Sequence, residues 1–120
     1  MAAALNTKAN KRKLRELAGV AYTRELGAEL SKLEVEFARW RSGDIDPFEL
    51  SEQIHRFHDG ISRDLYVLYG RLPPSQSVAR AVALKVIQEA EVPSEILEAL
   101  ERPLQFYRSQ HADLDKEGGE

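Results

Sequence analysis

The chain has no cysteine, which excludes disulfides, thiolate zinc sites and cysteine nucleophiles. No apolar run reaches the roughly 20 residues that a helix needs to cross a bilayer, and the opening stretch MAAALNTKANKRK lacks the apolar segment of a secretion signal. The expectation is a cytoplasmic protein with no membrane partner. Neither charge sign dominates: 17 basic against 20 acidic residues leave a net charge of −3, too little positive charge for a protein that coats nucleic acid. There is no internal repeat, no low-complexity segment and no sustained alternation of polar and apolar residues of the kind a half-buried strand shows.

What is present is a globular composition, 42% hydrophobic and 31% charged over 120 residues, which suits one domain. The expected organisation is a single helical domain over 1–110, frayed over 1–10, followed by a disordered acidic tail over 111–120 (sequence HADLDKEGGE). The fold class read from the apolar spacing is all-α: a small bundle of about four helices with a long N-terminal helix.

The first helix is predicted over about 8–42, with Gly43 as its left-handed stop. Leu14, Ala18, Tyr22, Leu26 and Leu30 recur every four residues, about 40° beyond a full turn, so this stripe winds around the rod and must face different neighbours along its length. From Leu26 the spacing through Leu30, Leu33, Phe37 and Trp40 alternates four and three, a straight seam for one partner helix. The second helix starts at Asp46 as N-cap, with Pro47 at the first position and Glu49 as in a capping box. It is predicted to run to Tyr69, with Gly70 as its stop. Its core stripe is Leu50, Ile54, Phe57, Ile61, Leu65 and Leu68. A third helix is expected over SQSVARAVALKVIQEAE, and a fourth from Ser94, kinked or split by Pro103.

The stretch IHRFHDG raises the question of chemistry. His55 and His58 lie on a second stripe of this helix, displaced by about 100° from the core stripe, together with Ser51, Ser62, Tyr66 and Tyr69. Two histidines three apart can reach one ion, but a zinc site wants at least three ligands, and the local candidates are Glu52, on the outer side of the helix, and Asp59, one residue too far round. No metal and no cofactor is therefore assigned. Acid–base catalysis needs less: His55 and Asp59 form an i, i+4 pair with hydroxyls nearby, which makes His55, His58 and Asp59 the catalytic candidates and Ser51, Ser62, Tyr66 and Tyr69 the ligand-binding candidates. The same pairs also arise as ordinary helix surface. Gly19, Gly27 and Gly60, each inside a predicted helix, are read as places where a neighbour approaches closely or the helix bends.

The leading functional reading is a protein–protein interaction or self-association module without catalysis. A 35-residue helix spans roughly 50 Å, more than a compact bundle of this size needs, and an exposed apolar stripe commonly becomes a two-fold interface. The partner is accordingly a second copy or another protein, with Leu14, Leu17, Ala21 and Tyr22 assigned to the interface. Two alternatives stand beside it. One is an enzyme or ligand site on the His/Ser/Tyr stripe. The other is nucleic-acid contact through the basic arm Lys8, Lys11, Arg12, Lys13 and Arg15, which carries no acid between its charges.

Overall fold

The computed structural model describes residues 2–118 and the side chains of residues 3–112. Among the described residues the protein is all-α, without strands, and its first helix is the longest. A 3-10 turn, Ala2–Asn6, leads into α1, Lys8–Ser42. The Thr7 hydroxyl accepts from the Asn10 amide at 3.2 Å, and the Asn10 side chain donates back to the Ala4 carbonyl at 2.8 Å, which caps the start of α1. At the other end Gly43 has φ +87. Its amide donates to the Trp40 carbonyl at 3.1 Å and that of Asp44 to Arg39 at 2.9 Å, the paired bonds of a Schellman cap.

The Asp46 carboxylate accepts from the Glu49 amide at 2.8 Å and opens α2, Pro47–Phe57. A π-turn, His58–Ser62, interrupts the helix, which resumes as α3, Arg63–Arg71. The single helix expected from Pro47 to Tyr69 is thus two α segments joined by a wide turn, and Gly70 lies inside the second.

The third helix departs further from expectation. α4 covers Pro74–Ala83 only, and Lys85 sits at φ 64. Here the Lys85 amide donates to Val82 at 3.1 Å and the Val86 amide to Ala81 at 2.8 Å, a second Schellman cap built on a residue that has no preference for it. A left-handed non-glycine residue costs about 1–2 kcal/mol. Burial of Ile87 and Val92, which the turn folds back into the core with 1% and 5% exposure, offsets this at about 2 kcal/mol per side chain. A 3-10 turn, Glu89–Glu91, follows, closed by a reciprocal Gln88–Glu91 capping box. α5, Ser94–Ala99, and α6, Glu101–Gly118, meet at Leu100. The break falls just ahead of Pro103, which has no N–H for the Ala99 carbonyl. α6 runs past Gln110, where the sequence reading ended the helix; Gly119 and Glu120 lie outside the described residues.

The chain divides into two compact units, Met1–Ala21 with Leu72–Glu120, and Tyr22–Arg71. α1 contributes a segment to each, as its winding stripe requires. In the first unit α4 packs on α6, and α5 on α6 and the first 3-10 turn. Its core holds Leu14, Leu17, Ala21, Val78, Val82, Ile87, Ile96, Leu100 and Leu104. The second unit is a helical hairpin of the C-terminal part of α1 against α2 and α3. Its buried apolar residues are only Ile45, Leu50 and Leu65.

At Gly19 and Gly27 an added Cβ would meet nothing within 4 Å, so no close neighbour explains these glycines. Gly19→Ala and Gly27→Ala should each raise stability by about 0.5–1 kcal/mol through helix propensity. Lys85→Gly should gain about 0.5 kcal/mol, the relief of left-handed strain less the added chain entropy. Gly43→Ala should lose about 1 kcal/mol. Urea unfolding followed by circular dichroism measures all four.

Candidate functional site

The hairpin is held at one end by Tyr22 and Tyr69, whose rings stack with centroids 4.7 Å apart and planes 3° from parallel. The Tyr69 hydroxyl also donates to the Glu25 carboxylate at 2.7 Å. Further along, Gln53 donates to Glu36 at 3.2 Å, which sets the level of α2 against α1. One side of the hairpin is a polar groove of about 340 Å³, lined by Glu29, Lys32, Leu33, Glu36, Gln53, Arg56, Phe57 and Ile61.

The π-turn decides what lies on the other side. Its i to i+5 bonding inserts one residue into the turn and rotates everything after it by about 100° relative to an unbroken helix. Tyr69, which a regular helix would carry about 100° from the core, is thereby turned toward Tyr22 and Glu25 of α1, while Tyr66 stays 71% exposed and Leu65 buried. Ile61 moves the opposite way and lines the polar groove, and both it and Ile54 are more than a third exposed, at 36% and 39%. The continuous core stripe expected from Leu50 to Leu68 does not exist, because the wheel that places it assumes an uninterrupted 3.6-residue period.

This rotation gathers Tyr22, His58, Asp59, Ser62, Arg63 and Tyr66 around a shallow depression of about 350 Å³. Four of the residues singled out in the sequence, His58, Asp59, Ser62 and Tyr66, are brought together; His55 and Ser51 lie exposed on α2 outside it, and Tyr69 is engaged in the stack. Tyr22 and Arg63 complete the lining. The role of Tyr22 here was hidden by its place in the winding stripe, which pointed to an interface. The anticipated His55–Asp59 pair is not joined by a hydrogen bond or ion pair among the described residues, because the wide turn begins between them. Asp64 is likewise exposed and forms no ion pair with a described residue. No three His, Asp or Glu side chains among the described residues are grouped to hold a metal ion.

The assigned interface requires correction. Leu14, Leu17 and Ala21 have 3%, 5% and 0% exposure and are core residues of the first unit, so they are not free to meet a second molecule. α1 serves two units: the first encloses Leu14, Leu17 and Ala21, while Leu30, in the stretch of the stripe that belongs to the second, is 46% exposed. In the basic arm, Lys13 approaches Glu16 at 3.9 Å. Lys11 and Arg15 border a depression of about 400 Å³ with Leu5, Asn6, Leu14, Pro74 and Ser75, and Lys8 and Arg12 are exposed within the same arc of the helix.

Comparison with known proteins finds no match: no family model, no curated protein and no solved structure is similar to this chain. No helix among the described residues is long and apolar enough to cross a membrane.

Replacing His55 and His58 together by Ala should change stability by no more than about 0.5 kcal/mol, since both are exposed. Tyr69→Phe should cost about 1 kcal/mol, because it removes a half-buried hydrogen bond to a carboxylate while keeping the ring stack. Thermal unfolding of the two variants separates a surface histidine pair from a structural tyrosine.

Proposed function

We propose that the chain is a protein–protein interaction module of the cytoplasm, without catalysis of its own, that docks a helical partner on the apolar side of the Tyr22–Arg71 hairpin. Leu26, Leu30, Leu33 and Phe37 fall within an arc of about 60° on α1, and Leu50, Ile54 and Phe57 within a similar arc on α2. Leu33 and Phe57 border the groove, whose polar liners, Glu29, Lys32 and Glu36 on α1 and Gln53 and Arg56 on α2, lie about 100° round each helix from the centre of its apolar arc, and Leu30 and Ile54 are the members of the two arcs farthest from them. Leu30 and Ile54 therefore share the side of the hairpin away from the groove. The observation that carries the reading is that this side is uncovered: Leu30 is 46% exposed and Ile54 39%. Paired helices with an open apolar seam are a standard seat for an amphipathic helix.

The catalytic alternative has less behind it. The depression at His58 is shallow, most of the side chains lining it are exposed, and His58, Asp59 and Ser62 make no side-chain hydrogen bonds to one another among the described residues. A site of this kind neither excludes water nor pairs a base with a nucleophile. The nucleic-acid alternative rests on the basic arm alone: Lys8, Lys11, Arg12 and Arg15 share an arc of about 100° on α1, in a chain whose net charge is −3.

A photoreactive amino acid in place of Ile54 should form a covalent adduct with another polypeptide in the expressing cells, whereas the same group in place of Arg56, in the polar groove, should not. Absence of any adduct at position 54 above that control sinks the docking reading. Ile54→Asp should leave the helical circular dichroism intact and lower stability by about 1 kcal/mol at most, because the side chain is already part exposed.

A further inference from the structure

We propose that the occupant of this face is a second copy of the same chain, packed antiparallel about a two-fold axis beside Phe37, with Glu34 of each copy paired to Arg41 of the other. The proposal rests on the docking reading above and names its partner.

Charge carries the argument. Several ionic groups of the hairpin are satisfied within their own helices: Lys32 with Glu29 at 2.7 Å, Arg39 with Glu36 at 3.0 Å, and Arg56 with Glu52 at 2.8 Å. Glu34 and Arg41 are different. Both are exposed, and neither forms an ion pair with a described residue. They stand seven residues apart, two turns of helix, so both project along the same edge of the apolar arc of α1, one to either side of Phe37.

An edge that carries one positive and one negative charge has no preference for a uniformly acidic or basic partner. It is, however, complementary to itself when reversed. The midpoint between the two charges falls between Phe37 and Ala38, and a two-fold axis through that point sets Glu34 against Arg41 twice. The same operation places Phe37 beside the Phe37 of the second copy. The Gln53–Glu36 hydrogen bond holds Ile54 level with Phe37, so the two Ile54 side chains meet as well. The product is a four-helix arrangement in which two hairpins close their apolar sides on each other. The contact is short, and the association it supports is of micromolar strength rather than nanomolar.

Sedimentation equilibrium of the purified chain tests this, with three charge variants. The natural sequence should dimerise at micromolar concentration. Glu34→Lys and Arg41→Glu should each weaken dimerisation by about tenfold, since two modest attractions become two repulsions. An equimolar mixture of these two single variants should form a heterodimer, in which both charge pairs are again opposite, and the double variant E34K/R41E should recover self-association. Because both positions are exposed, each variant should keep its helical circular dichroism, and recovery in the mixture excludes misfolding as the cause of weakening. A chain that stays monomeric up to about 100 µM, a dimer indifferent to both single reversals, or a mixture that fails to pair overturns the proposal. The adduct at position 54 tells its failure from that of the docking reading: an adduct with the chain's own copy supports both, an adduct only with a different protein overturns self-pairing alone, and no adduct overturns both.

Discussion

One inserted residue in the turn His58–Ser62 governs what the second half of the hairpin presents to α1. Without it, Tyr69 would lie about 100° away from Tyr22, and neither the ring stack nor the hydrogen bond to Glu25 would form. A π-turn is rare because its wide bonding geometry is less favourable than the α-helical one. The interactions it permits are of the size needed to hold it: an aromatic stack contributes about 0.5–1.5 kcal/mol beyond area burial, and the Tyr69–Glu25 bond adds about 1 kcal/mol. Gly60, inside the turn, is where a regular helix is weakest by about 1 kcal/mol relative to alanine. The bend is therefore placed where abandoning the regular helix costs least.

A second constraint acts through α1. Its apolar residues from Leu14 to Leu30 recur every four positions, and a stripe of that period cannot stay on one side of a straight helix. The structure answers by giving the stripe two different environments: Leu14, Leu17 and Ala21 enter the core of the first unit, and Tyr22, Leu26 and Leu33 belong to the hairpin. One secondary-structure element is thus shared by two compact units, and the exchange occurs at Ala21–Tyr22 without any break in helical bonding. The residues most suggestive of an external partner on sequence grounds are consequently the ones most fully enclosed.

The boundaries of α1 and the start of α2 were legible because each depends on a local rule obeyed by a particular residue: Gly43 for the left-handed stop, Asp46 for the N-cap, Pro47 for the first position. Pro103 announced the break between α5 and α6 in the same way. The end of α4 was not legible, since Lys85 carries no left-handed preference and adopts that conformation only because Ile87 and Val92 gain more from burial than the turn loses. The register of α2 and α3 was not legible either. A helical wheel can place His58, Ser62 and Tyr66 on one stripe, but it has no means of inserting a residue, so it could not bring Tyr22 and Arg63 to the same depression.

The two sides of the hairpin differ in how far their own chain completes them. On the polar side, Glu29, Lys32, Glu36, Gln53 and Arg56 find partners along their own helices or across the groove, and water can serve what remains. On the apolar side, Leu30 and Ile54 stay in solvent, and burial of each would contribute about 1–2 kcal/mol if a partner covered it. Two antiparallel helices bury one seam between them and leave the flanks bare; a four-helix bundle exists because a second pair covers those flanks. With so few residues enclosed, the hairpin lies at the low-stability end of the molecule. Any partner that binds the folded form adds stability in proportion to the logarithm of its free concentration, so covering this face and holding the π-turn in place draw on the same free energy.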